Sequence, residues 1–196
     1  DAGWSVDTGE PVWSAVLDPT GTRVAVGGAG GQVEVLDVRD GSVIAGPVRF
    51  EHPVEALAWS PTADVLAVGA DRSDEADHRL VLVDAADLRP KGAPVTTSGG
   101  SVVGLAFSPD GARLAAVLDN NLVRLVDVAG RSLEEDYLES VDVPFFSVAW
   151  APDGRRLATG AANGAVQLWD ADTLEPSAPA GRQSPYYDEE MGLYRL

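Results

Sequence analysis

Apolar and polar residues alternate along this chain in short bursts, and the bursts recur. "VVGLAFS" at 102–108 places an apolar residue at roughly every second position, the period of a half-buried strand. "PDG" follows at 109–111. There proline presets φ, aspartate caps its own backbone and glycine accepts a positive φ, so the stretch predicts a tight turn. A second apolar run, "RLAAVL", leads through a polar hairpin, "DNN", into a third, "VRLVD".

The same arrangement occurs four times, at 12–37, 54–84, 102–127 and 145–170. Pro19, Pro61, Pro109 and Pro152 are spaced by 42, 48 and 43 residues, and the closing Asp37, Asp84, Asp127 and Asp170 by 47, 43 and 43. Self-similarity at such a period marks a repeat architecture. After each third run comes a stretch poorer in apolar residues, in three of the four carrying proline: "SVIAGPVRF", "RPKGAPVTT", "RSLEEDYLES" and "LEPSAPAG". These suit an outer edge strand with one unpaired side. Each repeat is therefore expected to be a four-stranded antiparallel meander, and helical periodicity is absent. The second repeat is longer, and its extra residues fall in "DRSDEADH" at 71–78, an enlarged hairpin tip.

An apolar strand, "FSPDG", and "VQLWD" some distance on resemble the WD-repeat β-propellers. The resemblance covers roughly residues 12–180. Only Trp169-Asp170 is a true Trp-Asp pair, its counterparts being Leu36-Asp37, Val83-Asp84 and Val126-Asp127. The Gly-His pair of the family is missing, and His52 is a shortened counterpart, so the family's buried His–Ser–Asp–Trp network is expected to be incomplete and apolar packing to replace it.

What the resemblance implies is an all-β fold, a partial β-propeller of four four-stranded antiparallel WD-type blades at 12–50, 54–97, 102–140 and 145–180, together spanning 12–181. Residues 1–11 are expected to be the end of a preceding blade or a linker, since "WSVDTGE" resembles a blade's end, and 182–196 a C-terminal tail. Seven blades are usual in this family, so either the remaining blades of a parent chain or a second copy is expected to close the ring. "DVRDGSVIAGPVRF" and "DADTLEPSAPAG" look most like propellers appended to large bacterial signalling proteins. The function so implied is a protein–protein interaction scaffold or sensor segment of such a protein, cytoplasmic and not an enzyme. Two alternatives stand beside it: a propeller enzyme with a site at the central opening, and a structural part of a toxin or injection assembly, which "YYDEEMGLY" in the tail faintly resembles.

Composition narrows the chemistry. The 196 residues carry 31 acidic against 14 basic side chains, a net charge of −17, which repels phosphate backbones and anionic bilayers alike. Neither nucleic acid nor membrane is an expected partner. Without cysteine, disulfides, thiolate nucleophiles and cysteine-based metal sites are excluded. His52 and His78 are the only histidines. No cofactor or metal is expected.

"GGAGGQ" at 27–32 runs straight into a strand and lacks the Lys-Ser/Thr and helix of a phosphate loop, so it is a hairpin turn. In "DRSDEADH", Asp71, Asp74, Glu75, Asp77 and His78 crowd together. Their spacing matches no calcium loop. They are a solvated tip or, more sharply, a charged knob meeting a basic partner.

Leu17, Trp59, Phe107 and Trp150 align just before the turns and are expected in the core between blades. Trp13, Glu55, Val103 and Phe146 also align, where the resemblance places a partner-binding rim. Trp13 and Phe146 are thus candidate anchors for another protein, with core packing as the alternative. Phe145 is expected to be buried. Specificity would rest with loops 28–32, 70–79, 119–122 and 161–165.

Overall fold

A computed structural model describes residues 3–70, 79–97, 99–140 and 143–177. It contains strands and turns with no helix among the described residues. The first sheet comprises β1 (Val12–Leu17), β2 (Arg23–Gly28), β3 (Gln32–Asp37) and β4 (Val43–Arg49), and the second β5 (Val54–Trp59), β6 (Val65–Ala70), β7 (Arg79–Asp84) and β8 (Val95–Thr96). The third holds β9 (Val102–Phe107), β10 (Arg113–Leu118), β11 (Leu122–Asp127) and β12 (Ser132–Glu139), and the fourth β13 (Phe145–Trp150), β14 (Arg156–Ala161) and β15 (Val166–Asp170). Strands within each sheet follow chain order and pair antiparallel.

Outer strands shorten in the second and fourth blades, where proline falls at the start of their pairing. In the second sheet the outer strand shrinks to Val95–Thr96 after a bridge between Val83 and Pro90, and in the fourth a single bridge, Trp169 to Pro176, marks its place among the described residues. Proline has no N–H to give to a ladder, so such stretches survive only as bridges or edges.

The turns explain why certain residues recur. Glycine at the tip of three β1–β2-type turns has φ near +70° (Gly21, Gly111 and Gly154), and its N–H reaches back to the carbonyl of Asp18, Ser108 or Ala151. Each closing aspartate accepts the amide two residues on: Arg39 to Asp37 at 2.8 Å, and Ala86 to Asp84, Ala129 to Asp127 and Asp172 to Asp170, each at 3.0 Å. That side-chain cap, rather than any shared chemistry with a ligand, fixes an aspartate at the end of every third strand.

The four sheets stand side by side. Innermost β1 packs on β5, β5 on β9 and β9 on β13, whereas β1 and β13 make no comparable contact. Among the described residues the sheets form an open arc of four propeller blades.

Each seam between blades follows one rule. A large side chain at the end of the inner strand of one blade, with the residues beside it, packs on alanine, valine and leucine of the blade before. Trp59, Leu57, Leu66 and Val83 meet Ala25, Val33 and Val35 at the first seam; Phe107, Leu114 and Val126 meet Ala58, Ala67 and Leu82 at the second. Trp150, Leu157 and Trp169 meet Ala115, Val117 and Leu125 at the third. Gly27 and Gly69 let the next blade approach closely; a Cβ on Gly69 would lie 2.6 Å from Cγ1 of Val102. Burying such areas is the main source of stability for stacked repeats, each of which is too thin to hold a core alone.

A fifth recurring feature locks the seams on their outer side. Gly41, Leu88, Arg131 and Leu174 all adopt a left-handed conformation, φ +73°, +59°, +53° and +54°, at the turn after the third strand. Leu88 is buried in the first seam and Leu174 packs into the third, while Arg131 lies against Gly92 of the preceding blade. In the first blade the residue is glycine, and its missing side chain is replaced by Trp4 and Val6, which lie where a Cβ on Gly41 would project. The Trp4 indole holds that place by donating to the Val38 carbonyl at 2.6 Å.

Candidate functional site

The inner strands share an irregularity at one point. Pairing slips between Val12 and Ser14 in β1, between Val54 and Ala56 in β5, between Val102 and Gly104 opposite Val117 and Leu118 in β9, and between Phe145 and Ser147 in β13. In each case one extra residue stands in a β-bulge: Trp13, Glu55, Val103 and Phe146. A bulge leaves its extra residue outside the ladder and re-aims the side chain. Because the inner strands are neighbours, the four form a row along the inner end of the arc. Trp13 is 52% exposed and Phe146 63%, while Glu55 and Val103 are half-buried. Phe145, the neighbour of Phe146, is buried in the third seam.

Hairpin tips gather at that same end. The start of each inner strand pairs with the end of the second, as in Val12 with Gly28 and Phe145 with Ala161. Each described tip is tied to the segment entering the inner strand: the amides of Ala29, Asp119 and Ala162 donate to the carbonyls of Pro11, Ser101 and Pro144 at 2.9–3.0 Å. Asp119 accepts a further bond from the Ser101 amide at 2.9 Å. Loops 28–32, 119–122 and 161–165 are therefore held next to the bulges on rigid strands, the arrangement by which loops carry recognition. Asp71, Asp74, Glu75 and Asp77, with His78, lie outside the described residues. The strand before them ends at Ala70, opposite Val54 at the bulge end.

The opposite end is built for cohesion. Arg23 of the first blade stacks on Trp59 of the second, 4.7 Å from the ring centre, and pairs with Asp64 at 2.9 Å and Asp18 at 3.3 Å. Arg113 of the third blade stacks on Trp150 of the fourth at 5.6 Å, pairs with Glu134 at 2.6 Å, and donates to the Ala171 carbonyl at 2.7 Å. Each guanidinium crosses a seam, joining charge, ring face and backbone. These clamps were missed in the sequence, although Arg23, Arg113 and Arg156 recur at the first position after the turn and so carried a signal.

Asp18 belongs to this end. Burial acts to raise its carboxyl, but hydrogen bonds from Thr20 Oγ1, the Arg23 and Thr22 amides and the Arg23 side chain outweigh it and hold the pKa down at about 2. A carboxylate so satisfied is structural.

One expectation fails. Leu17 aligns with Trp59 and Phe107, which are buried, yet it is 56% exposed, since among the described residues no sheet packs on that face of the first blade. Of the family's His–Ser–Asp–Trp network, expected to be incomplete, the fourth blade retains one link: the buried Trp169 indole donates to Thr159 Oγ1 at 2.9 Å. Among the described residues no three histidine or carboxylate side chains converge as metal ligands, and no helix is long and apolar enough to cross a membrane.

Residues 57–140 match the family model for the anaphase-promoting complex subunit 4 WD40 domain, and residues 140–170 the model for the WD domain, G-beta repeat. Both matches support a WD-repeat family. Among curated proteins none matches the chain in sequence. WD40 repeats generally mediate protein–protein interactions and are typically non-catalytic scaffolds. The four antiparallel sheets are consistent with WD40 propeller blades, and the exposed aromatics Trp13 and Phe146 stand in the bulge row at their inner end.

Proposed function

We propose that this WD-repeat module is a protein-binding scaffold or sensor segment, acting inside a larger cytoplasmic signalling protein of bacterial type, and that its partner docks on the bulge end. The observation that carries the reading is the pair of large aromatics, Trp13 and Phe146, standing out of rigid inner strands at 52% and 63% exposure. Aromatic side chains on a stiff frame bury much area for little lost rotamer entropy, and such anchors dominate binding energy.

Net charge selects the partner's chemistry. With −17 on the chain, and Asp71, Asp74, Glu75 and Asp77 in the segment that leaves the second blade at this end, the partner presents apolar pockets ringed by lysine and arginine. The module supplies position and affinity and makes or breaks no bond.

Site-directed photocrosslinking tests the reading. A benzophenone side chain placed at 13 or 146 should capture one and the same protein, and excess wild-type chain should compete the adduct away. The chain carrying both Trp13→Ala and Phe146→Ala should compete at least tenfold less well. Equal competition by the double variant would remove the bulge end from the account.

A further inference from the structure

The outer edge of the third blade differs from the other three. β4 carries Pro47 and slips twice against β3, β8 has only Val95 and Thr96, and the described residues of the fourth blade offer a bridge at Pro176. β12 runs eight residues without proline. The third blade is flanked on both sides by described blades, and β12 is its strand farthest from the inner row. Register fixes which backbone groups this edge offers. The Ser140 amide donates to the Asn121 carbonyl, and the Val128 amide to the Ala112 carbonyl, both at 3.0 Å. Opposite residues of an antiparallel pair alternate between bonded and unbonded. Ladder bonds therefore join Val123 to Leu138, while Arg124 turns its backbone toward Ala116. The N–H and C=O groups of Tyr137 and Glu139 are left pointing away from β11.

Side chains define what fits there. Tyr137 and Glu139, two apart on a strand, share one face. The Tyr137 ring is 46% exposed, with the Arg124 guanidinium 4.9 Å from its centre. Arg124 is itself held by donating to the Glu134 carbonyl at 3.0 Å. Glu134 is taken by Arg113, whereas Glu135, Asp136 and Glu139 are exposed and form no ion pair among the described residues. Pairing slips across 134–136, so free carboxylates crowd beside the open rungs. An open edge is a template for another strand. The β12 of a second copy laid here would set carboxylate near carboxylate, which is destabilising, whereas opposite charges across strands attract.

We propose that β12 takes up an extended segment of another protein, bearing lysine or arginine, as a fifth, antiparallel strand. Backbone rungs form at Tyr137 and Glu139. An apolar residue of the segment covers the Tyr137 ring, and a basic residue next to it on the same face meets Glu139. Charge complementarity is the ground for a basic segment: three free carboxylates line the edge, on a chain of net charge −17. This docking edge is separate from the bulge row at Trp13 and Phe146 and does not rest on binding there.

Amide hydrogen exchange, read by NMR on the full chain, tests it with the end-blocked peptide Thr-Lys-Thr-Val-Thr-Lys-Thr as probe. In the free chain the Tyr137 and Glu139 amides should exchange fast and the Leu138 amide, inside the ladder, slowly. Saturating peptide should slow Tyr137 and Glu139 by roughly tenfold or more and leave Leu138 as it was. N-methylation of the peptide's lysines and valine, whose N–H groups would face β12, should abolish this protection, and N-methylation of its threonines should not. Glutamate in place of the peptide's lysines should weaken binding by about tenfold or more. So should Glu135→Gln, Asp136→Asn and Glu139→Gln made together in the chain, with the melting temperature unchanged. Tyr137 and Glu139 amides already slow in the free chain would mean that the edge is covered, by a second copy or by the chain itself, and would overturn the proposal. No binding at millimolar peptide overturns it too, as does binding that leaves both amides fast. Binding indifferent to which residues are N-methylated would be charge attraction alone and has the same consequence. Photocrosslinking at 13 and 146 should be unchanged in the triple variant, which keeps the two readings apart.

Discussion

At the scale of the residue, Asp18 shows how this acidic chain spends a carboxylate on structure. It is only 4% exposed, and its pKa of about 2 lies below the ordinary 3.8 because four hydrogen bonds favour the charged form over the cost of burial. A pKa lowered on folding stabilises the protein above the unfolded value, and that contribution is lost as pH falls through the folded one. The window is therefore pH 4 to 2, and the sum at stake is ~2 kcal/mol by linkage. Asp18→Asn should lower stability at neutral pH by about 1–3 kcal/mol, and its urea midpoint should fall less than the wild type's between pH 4 and 2. Parallel falls for both proteins would deny Asp18 this role. The half-buried Asp37 is also held at about 2, by hydrogen bonds from the side chain and amide of Arg39, so the Asp18→Asn variant keeps some acid sensitivity.

At the scale of the element, one repeat position has different consequences in different blades. Gly69 and Gly160 are equivalent, but a Cβ on Gly69 would press on Val102 of the next blade at 2.6 Å, including its carbonyl at 3.2 Å, while on Gly160 it would meet only the Ser147 hydroxyl of its own blade, also at 2.6 Å. A hydroxyl can rotate away and a packed strand cannot. Gly69→Ala should cost about 1–3 kcal/mol and Gly160→Ala clearly less, as thermal unfolding would show; equal losses would argue against a seam at Gly69.

This contrast marks what could be read from the letters. Repeat period, strand runs, turn glycines and capping aspartates are local, and the alignment placed Trp13, Glu55, Val103 and Phe146 together before any bulge was visible. The bulge itself is a hydrogen-bond register, which one letter per residue does not encode. Leu17 misled for a related reason. Its place in the repeat fixes the face on which it stands, whereas burial also needs a neighbouring sheet, and among the described residues the first blade has no such sheet there. An outer edge strand was expected in every blade; in the second it follows a bridge at Pro90 as the short Val95–Thr96, and in the fourth the described residues hold a bridge at Pro176.

At the scale of the whole molecule, the arc divides its labour between two ends. Arg23 with Trp59 and Arg113 with Trp150 clamp adjacent blades at the turn end, while at the bulge end Trp13 and Phe146 stand exposed on a frame that does not yield. Stacked repeats transmit little strain beyond a neighbour, which lets the inner edge vary in sequence from blade to blade, as Trp13, Glu55, Val103 and Phe146 do, without loss of the fold. Binding at this edge is the claim on which the functional account stands. Titration calorimetry of the crosslinked partner against purified chain tests it most directly. Trp13→Ala and Phe146→Ala should each weaken binding by tenfold or more, about 1.4 kcal/mol, with Val43→Ala on the outer edge left at wild-type affinity. Unchanged affinity in both aromatic variants, or a larger loss at Val43, would contradict it.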